Sequence, residues 1–122
     1  MIVWKALDPN RNSCTITAQN YQRNYPPHTY VEMVPGTMGL WCALDETTAR
    51  NHGDQVIRVH INKRDILPKP NKMMICYSSR ELLDRFFKGN LSEAFIDGCV
   101  DENLSDGWLA QMVFVKKLYT LE

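Results

Sequence analysis

Val56-Ile57-Arg58-Val59-His60-Ile61 is the stretch from which the fold is best read. Four of its six residues are β-branched, a composition that suits a pleated, half-buried surface. Arg58 and His60 alternate with Val59 and Ile61, so a strand puts the two basic residues on the face opposite the apolar ones. Working back from it, Asp45 is placed to cap a short helix running to His52, with Gly53 set to stop it. Before that helix comes a short apolar strand, Leu40 to Leu44, and before that His28 to Val34, which also reads as a strand. Pro35-Gly36-Thr37 punctuates between those two strands, and the spacing predicts an antiparallel pair. Ser13 to Ala18 alternates hydroxyls with Cys14, Ile16 and Ala18, a half-buried strand pattern. Ile2 to Leu7 is a short apolar strand that ends at Asp8-Pro9-Asn10, a turn signal.

Working forward, Lys63 to Asn71 carries two prolines and reads as a surface connection to a strand at Lys72 to Tyr77. Ser78 and Glu81 stand at capping-box spacing, and Leu82, Leu83, Phe86 and Phe87 form a helical stripe stopped by Gly89. Asn90 and Glu93 repeat the cap spacing for a second short helix to about Asp97. The Val113-Phe114-Val115 centre of Trp108 to Leu118 favours one long strand. The pattern predicts an α+β fold in one domain over residues 1–122: a mainly antiparallel, twisted sheet of five to seven strands with two or three packed helices. At 122 residues the chain has the size of one domain, and folding at this length removes roughly two thirds of the unfolded surface, so no metal or disulfide staple is needed.

Charge and cysteine usage narrow the functional classes. Fourteen Lys and Arg balance fourteen Asp and Glu, which argues against a general nucleic-acid coat protein. The balance conceals an asymmetry. Residues 50–88 hold nine Lys or Arg against four acids, whereas residues 89–115 hold Glu93, Asp97, Asp101, Glu102 and Asp106 and no base. A surface helix accounts for that acidic segment, which otherwise offers a face to a basic partner. Apolar runs fall far short of the ~20 residues of a membrane span, and the opening Met1-Ile2-Val3-Trp4-Lys5 lacks the pattern of a secretory signal. A cytoplasmic protein without membrane contact is expected. Cys14, Cys42, Cys76 and Cys99 are too widely spaced for a local metal knuckle, so no metal is assigned and structural thiols are expected. No Gly-x-Ser-x-Gly elbow or His-Glu-x-x-His helix is present. A Cys42–His60 nucleophilic pair requires their strands to be neighbours.

The densest sign of a binding surface is Tyr21 to Tyr30, with three of the five tyrosines, Arg23, Pro26, Pro27 and His28. Tyr and Arg supply large contact area, and prolines stiffen a loop before docking. Tyr21, Arg23, Tyr25, His28 and Tyr30 are candidates, unless their rings fold back to cover the sheet. Arg58 and His60 add a possible anion-binding face. The expectation is a small, non-enzymatic binding protein without cofactor, directed at a protein partner rather than nucleic acid. Homo-oligomerisation stays open through edge pairing of the long C-terminal strand.

One segment carries a family resemblance. Gly39-Leu40-Trp41-Cys42-Ala43-Leu44, the helical stretch Asp45 to His52, and Val56 to Ile61 follow one another as a Gly-aromatic strand, a short Ala-containing helix and a Val/Ile strand. With the opening Val3-Trp4-Lys5, residues 1–67 resemble small ADP-ribosyltransferase-like domains, including proteins of phages and mobile elements. The resemblance implies an NAD-dependent enzyme in which Lys5 stands in for the opening basic residue of the NAD site. Glu93, Glu102 or Asp106 would serve as the acid. The His-Thr/Ser or Tyr-Arg opening of such domains is here Trp4-Lys5-Ala6, and no Glu-x-Glu motif occurs.

Overall fold

The structure, a computed structural model, describes residues 1–14, 23–35, 39–76 and 99–121. The described residues form eight strands: β1 (Ile2–Leu7), β2 (Tyr30–Glu32), β3 (Leu40–Ala43), β4 (Gln55–His60), β5 (Lys72–Cys76), β6 (Cys99–Asn103), β7 (Met112–Val115) and β8 (Lys117–Thr120). Among the described residues there are also two short helices, α1 (Glu46–Arg50) and α2 (Asp106–Ala110), and a 3-10 turn at Lys63–Asp65. Six strands form one antiparallel sheet in the order β2-β8-β4-β1-β3-β7, and β5 and β6 form a separate pair. The α+β class, the antiparallel sheet and its strand number follow the sequence expectation.

The sheet curls. Lys116 alone separates β7, at one end of the order, from β8, next to the other end. Residues two apart span at most about 7 Å, so those two regions of the sheet meet along one bent strand. The outer edge of β7 is laced to the segment after the 3-10 turn: Leu67 N–H donates to Phe114 O at 2.7 Å and Lys116 N–H to Asp65 O at 2.8 Å. Strand alternation then gives the curled sheet two apolar faces. Val3, Leu7, Leu40, Cys42, Ile57, Val59, Val113, Val115 and Leu118 line the inner face, joined by Val31 and by Tyr25 from the preceding loop. On the outer face Trp41, Ala43, Met112 and Phe114 pack with Ala49 of α1 and with Trp108 and Leu109 of α2. Each large side chain fully buried here contributes about 1.5–3 kcal/mol.

Local chemistry fixes the helix starts. Asp45 accepts from the Thr48 N–H at 2.7 Å and the Thr48 hydroxyl at 2.8 Å, while Ser105 accepts from the Trp108 N–H. The second cap corrects the reading of Trp108 to Leu118 as one strand. A Ser-capped helical turn places Trp108 on α2, and the strand begins at Met112 and bends at Lys116.

Three further expectations are corrected. β2 and β3 are not a pair, because β2 runs beside β8 and β3 lies between β1 and β7. All four β3 residues are buried, so both faces of the strand are covered, and the intervening Pro-Gly signal carries no information about that burial. Asp101 and Glu102 stand on strand β6, opposite Met74 and Met73, rather than on a helix. Among the described residues β8 lies between β2 and β4, and the outer edge of β7 is laced by residues 65–67. Ile66 and Leu67 thus belong to the sheet's closure rather than to a plain surface connection. The helices expected at Ser78–Gly89 and Asn90–Asp97 and most of the strand at Ser13–Ala18 lie outside the described residues, as does Tyr21.

Candidate functional site

The sheet brings chemistry together in two places. The first is an exposed row on the outer face. Tyr30 of β2 is in register with Tyr119 of β8, Tyr119 with His60 of β4, and His60 with Ile2 of β1. Opposed residues of antiparallel strands share a face, so four strands present one continuous lateral row. Tyr30 is 63% exposed and Ile2 41%, a large apolar surface for one row. The Tyr30 and Tyr119 rings meet edge to face at 4.8 Å, and Lys117 Nζ sits 4.4 Å from the centre of the Tyr30 ring. Lys117 also faces Glu32 at 3.8 Å, a solvent-exposed pair worth little energy.

Tyr30, His60, Asn62, Arg64, Asp65, Lys117 and Tyr119 line a groove of about 350 Å³ at this edge. Arg58, exposed and two residues before His60, extends the basic rim on the same face. Behind the row, Thr120 anchors the 26–29 loop: its hydroxyl accepts from Thr29 N–H at 2.9 Å and donates to the Pro26 carbonyl. Among the described strands β2 is at the edge of the sheet. Thr120 N–H donates to Thr29 O and Met33 N–H to Lys116 O, so by alternation the main-chain groups of Tyr30 and Glu32 point away from β8.

The second place is a small cavity of about 20 Å³ lined by residues from β1, β3 and α1 together with Ser13, Cys14, His52 and Met112. Lys5 reaches into it from β1. Its side chain is 5% exposed, and Nζ donates to the Trp41 carbonyl at 2.8 Å. The same ammonium lies 5.0 Å from the Tyr25 ring centre and 5.5 Å from that of Trp41. Trp41 in turn meets His52 edge to face at 5.0 Å. Burial, and then the charge of Lys5, hold His52 below the ordinary histidine range. Burial pushes the Cys42 thiol up to about 11 against the opposing pull of Lys5, so Cys42 stays protonated and unreactive. Cys14 is likewise raised, by burial first and then by Asp8.

The expected binding residues divide between surface and core. Tyr30, His60 and Arg58 share the outer face, and His28 is exposed in the adjoining loop with a left-handed φ of 53°. Tyr25 is corrected to a core residue: it is fully buried, and burial raises its pKa against the opposing pull of Lys5. Arg23 is half-buried, its main chain paired with Ser13. Lys5 sits in the interior, because it shares the parity of Val3 and Leu7 on the inner face. Cys42 and His60 are not on neighbouring strands, since β1 separates β3 from β4. Among the described residues, no three His, Cys, Asp or Glu side chains come together as metal ligands, and no helix is long and apolar enough to cross a membrane.

Tyr119, Lys117 and Arg64 entered the row without having been singled out in the sequence. The alternation Lys117-Leu118-Tyr119-Thr120 held the signal for two of them, since period two puts Lys117 and Tyr119 on one face. Comparison of the chain with known protein families, with curated proteins and with solved structures returns no match.

Proposed function

We propose that this protein is a non-enzymatic binding module that takes up a protein partner on the outer row. The observation that carries this reading is the in-register line Tyr30–Tyr119–His60–Ile2, an aromatic and aliphatic strip bordered by Lys117, Arg64 and Arg58. Interface centres are rich in Tyr and Arg because large, partly rigid side chains bury much area at modest ordering cost. The open edge of β2 adds main-chain donors and acceptors to which an extended partner segment can pair. A matching partner offers an apolar side chain to the strip and a carboxylate to Arg64 or Lys117.

The test is affinity capture from lysate with the wild-type chain and with the double variant Tyr30→Ala/Tyr119→Ala, before and after nuclease treatment. A protein that is retained by the wild type, lost from the variant and unaffected by nuclease supports the reading, provided both chains melt at the same temperature. Equal capture by both chains contradicts it, and loss of capture with nuclease reassigns the row to a stacking platform for single-stranded nucleic acid.

One observation favours a second reading, an NAD-dependent ADP-ribosyltransferase-like enzyme. Three of the four segments that carry the resemblance converge on one cavity: Lys5 from the opening strand, Trp41 and Ala43 from the Gly-aromatic strand, and Ala49 and His52 from the helical stretch. A space of about 20 Å³ holds one water-sized group, so a dinucleotide requires Trp41 and His52 to part. Under this reading, millimolar NAD raises the melting temperature of the wild type and not of Lys5→Ala, and nicotinamide is released. Absence of both effects retires it.

A further inference from the structure

β2 presents main-chain groups that no other described strand answers. Tyr30 and Glu32 turn their N–H and C=O groups away from β8, because Thr29 and Met33 turn theirs toward it. Such an edge is a template for a further strand. Tyr30-Val31-Glu32 contains neither proline nor lysine, residues that commonly blunt an edge. Prolines stand just outside it, at Pro27 and Pro35.

Register decides what fits there, and a strand of this same sequence fits in one register better than in its neighbours. Antiparallel pairing of Tyr30 with Tyr30 carries Glu32 opposite His28, which leaves strand geometry with a φ of 53°. Pairing Glu32 with Glu32 sets like charges face to face. Pairing Tyr30 with Glu32 of the second copy puts a two-fold axis at Val31, and every outward N–H of either copy meets an outward C=O. Charge agrees with that register. On the outer face Lys117 Nζ stands 3.8 Å from Glu32 and 4.4 Å from the centre of the Tyr30 ring. A residue placed opposite Tyr30 therefore arrives beside a cation, and in the register centred on Val31 that residue is Glu32 of the second copy. Each Lys117 then lies between carboxylates of both copies, and the cluster alternates in sign across the axis.

We infer that β2 pairs with β2 of a second copy of this chain, antiparallel and with Tyr30 opposite Glu32, in a weak dimer whose sheet runs through both copies. Strands of three residues bury less than the ~1,200 Å² of a stable interface, so the monomer prevails in dilute solution. The dimer closes the edge that a foreign strand would use, so self-association competes with partner uptake. The inference stands on the edge alone and is tested with no partner present, so its failure and that of the partner reading are separate results.

The experiment is sedimentation equilibrium of the full chain from about 10 µM to about 1 mM, the span of weak interfaces. The mean mass is expected to climb from one chain toward two. Glu32→Lys and Lys117→Glu each leave the cluster with a single sign, so each variant alone should associate at least about tenfold more weakly. An equimolar mixture of the two restores alternation, since the lysines of one copy meet the carboxylates of the other, and should recover most of the wild-type association. Loss of the pair within a chain does not account for such recovery, because each chain in the mixture still lacks it. A wild type that stays monomeric at about 1 mM overturns the inference and leaves the edge to a foreign strand. So does a single variant that dimerises like the wild type, or a mixture that fails to recover. Should a variant fail to fold, hydrogen exchange of the wild type decides the matter. Exchange at the Tyr30 and Glu32 amides is expected to slow as the protein is concentrated, and unchanged rates refute the pairing.

Discussion

Gly39→Ala tests the way the sheet closes. Gly39 has φ of 98°, and an added Cβ would stand 2.8 Å from the Val115 carbonyl oxygen and 2.5 Å from Leu67 Cδ1. Leu67 can move, but the carbonyl belongs to β7 immediately before the bend at Lys116 and is fixed by the ladder with β3. The left-handed backbone costs a non-glycine residue about 1–2 kcal/mol. Overpacking a well-filled interior costs a further ~1–3 kcal/mol. A total near 3 kcal/mol is a large share of the ~5–15 kcal/mol that holds a domain folded. It corresponds to a fall of about 10 °C in melting temperature at this size. Urea unfolding is the assay, with an unchanged m-value as the sign that stability alone has moved. Gly107→Ala is the internal control. Its Cβ meets nothing within 4 Å and it lies within α2, so it should stabilise by about 0.5–1 kcal/mol. A loss at Gly39 below about 0.5 kcal/mol would refute the close approach of residues 39, 67 and 115 on which the curled sheet depends.

Other outcomes follow from the site's surroundings. Asp45→Ala removes both bonds to Thr48 and should cost about 1 kcal/mol by chemical denaturation, while Asp45→Asn should recover most of it. His52 titrates below its ordinary value in the folded chain, so the unfolded chain takes up its proton first as pH falls. Its contribution to stability is therefore complete above about pH 6.5 and is lost as pH drops toward the folded value. His52→Phe should flatten the dependence of urea midpoint on pH between about 5 and 7, and an unchanged slope would assign that dependence to other groups.

Much of the architecture was legible because period and punctuation agree with burial. Val56 to Ile61 became β4, Ile2 to Leu7 became β1, and Asp45 caps α1 as its position implied. What local pattern could not supply was partnership. Pro35-Gly36 looks like a hairpin turn, yet β3 is buried on both faces and takes β1 and β7 as neighbours, contacts set by residues far along the chain. Val113-Phe114-Val115 gives the C-terminal stretch the composition of a strand, although the Ser105 side chain starts a helix within it. The binding residues show the same limit. Tyr25 and Tyr30 are equivalent in composition, but one fills the inner core and the other heads the exposed row. Register across four strands made that row, and no window of sequence contains it. The burial of Lys5 is likewise not announced locally, since only the parity it shares with Val3 and Leu7 takes it into the interior.

The most direct measurement is hydrogen–deuterium exchange of the protein alone and bound to its captured partner. The amides of Tyr30 and Glu32 point outward from the sheet edge and should exchange quickly in the free chain. Protection on binding that is concentrated at Tyr30–Glu32, Lys117–Thr120 and the His60 end of β4 is the predicted result. Protection that leaves these three strands untouched and falls on the acidic residues 93–106 would contradict the assignment of the outer row as the binding surface.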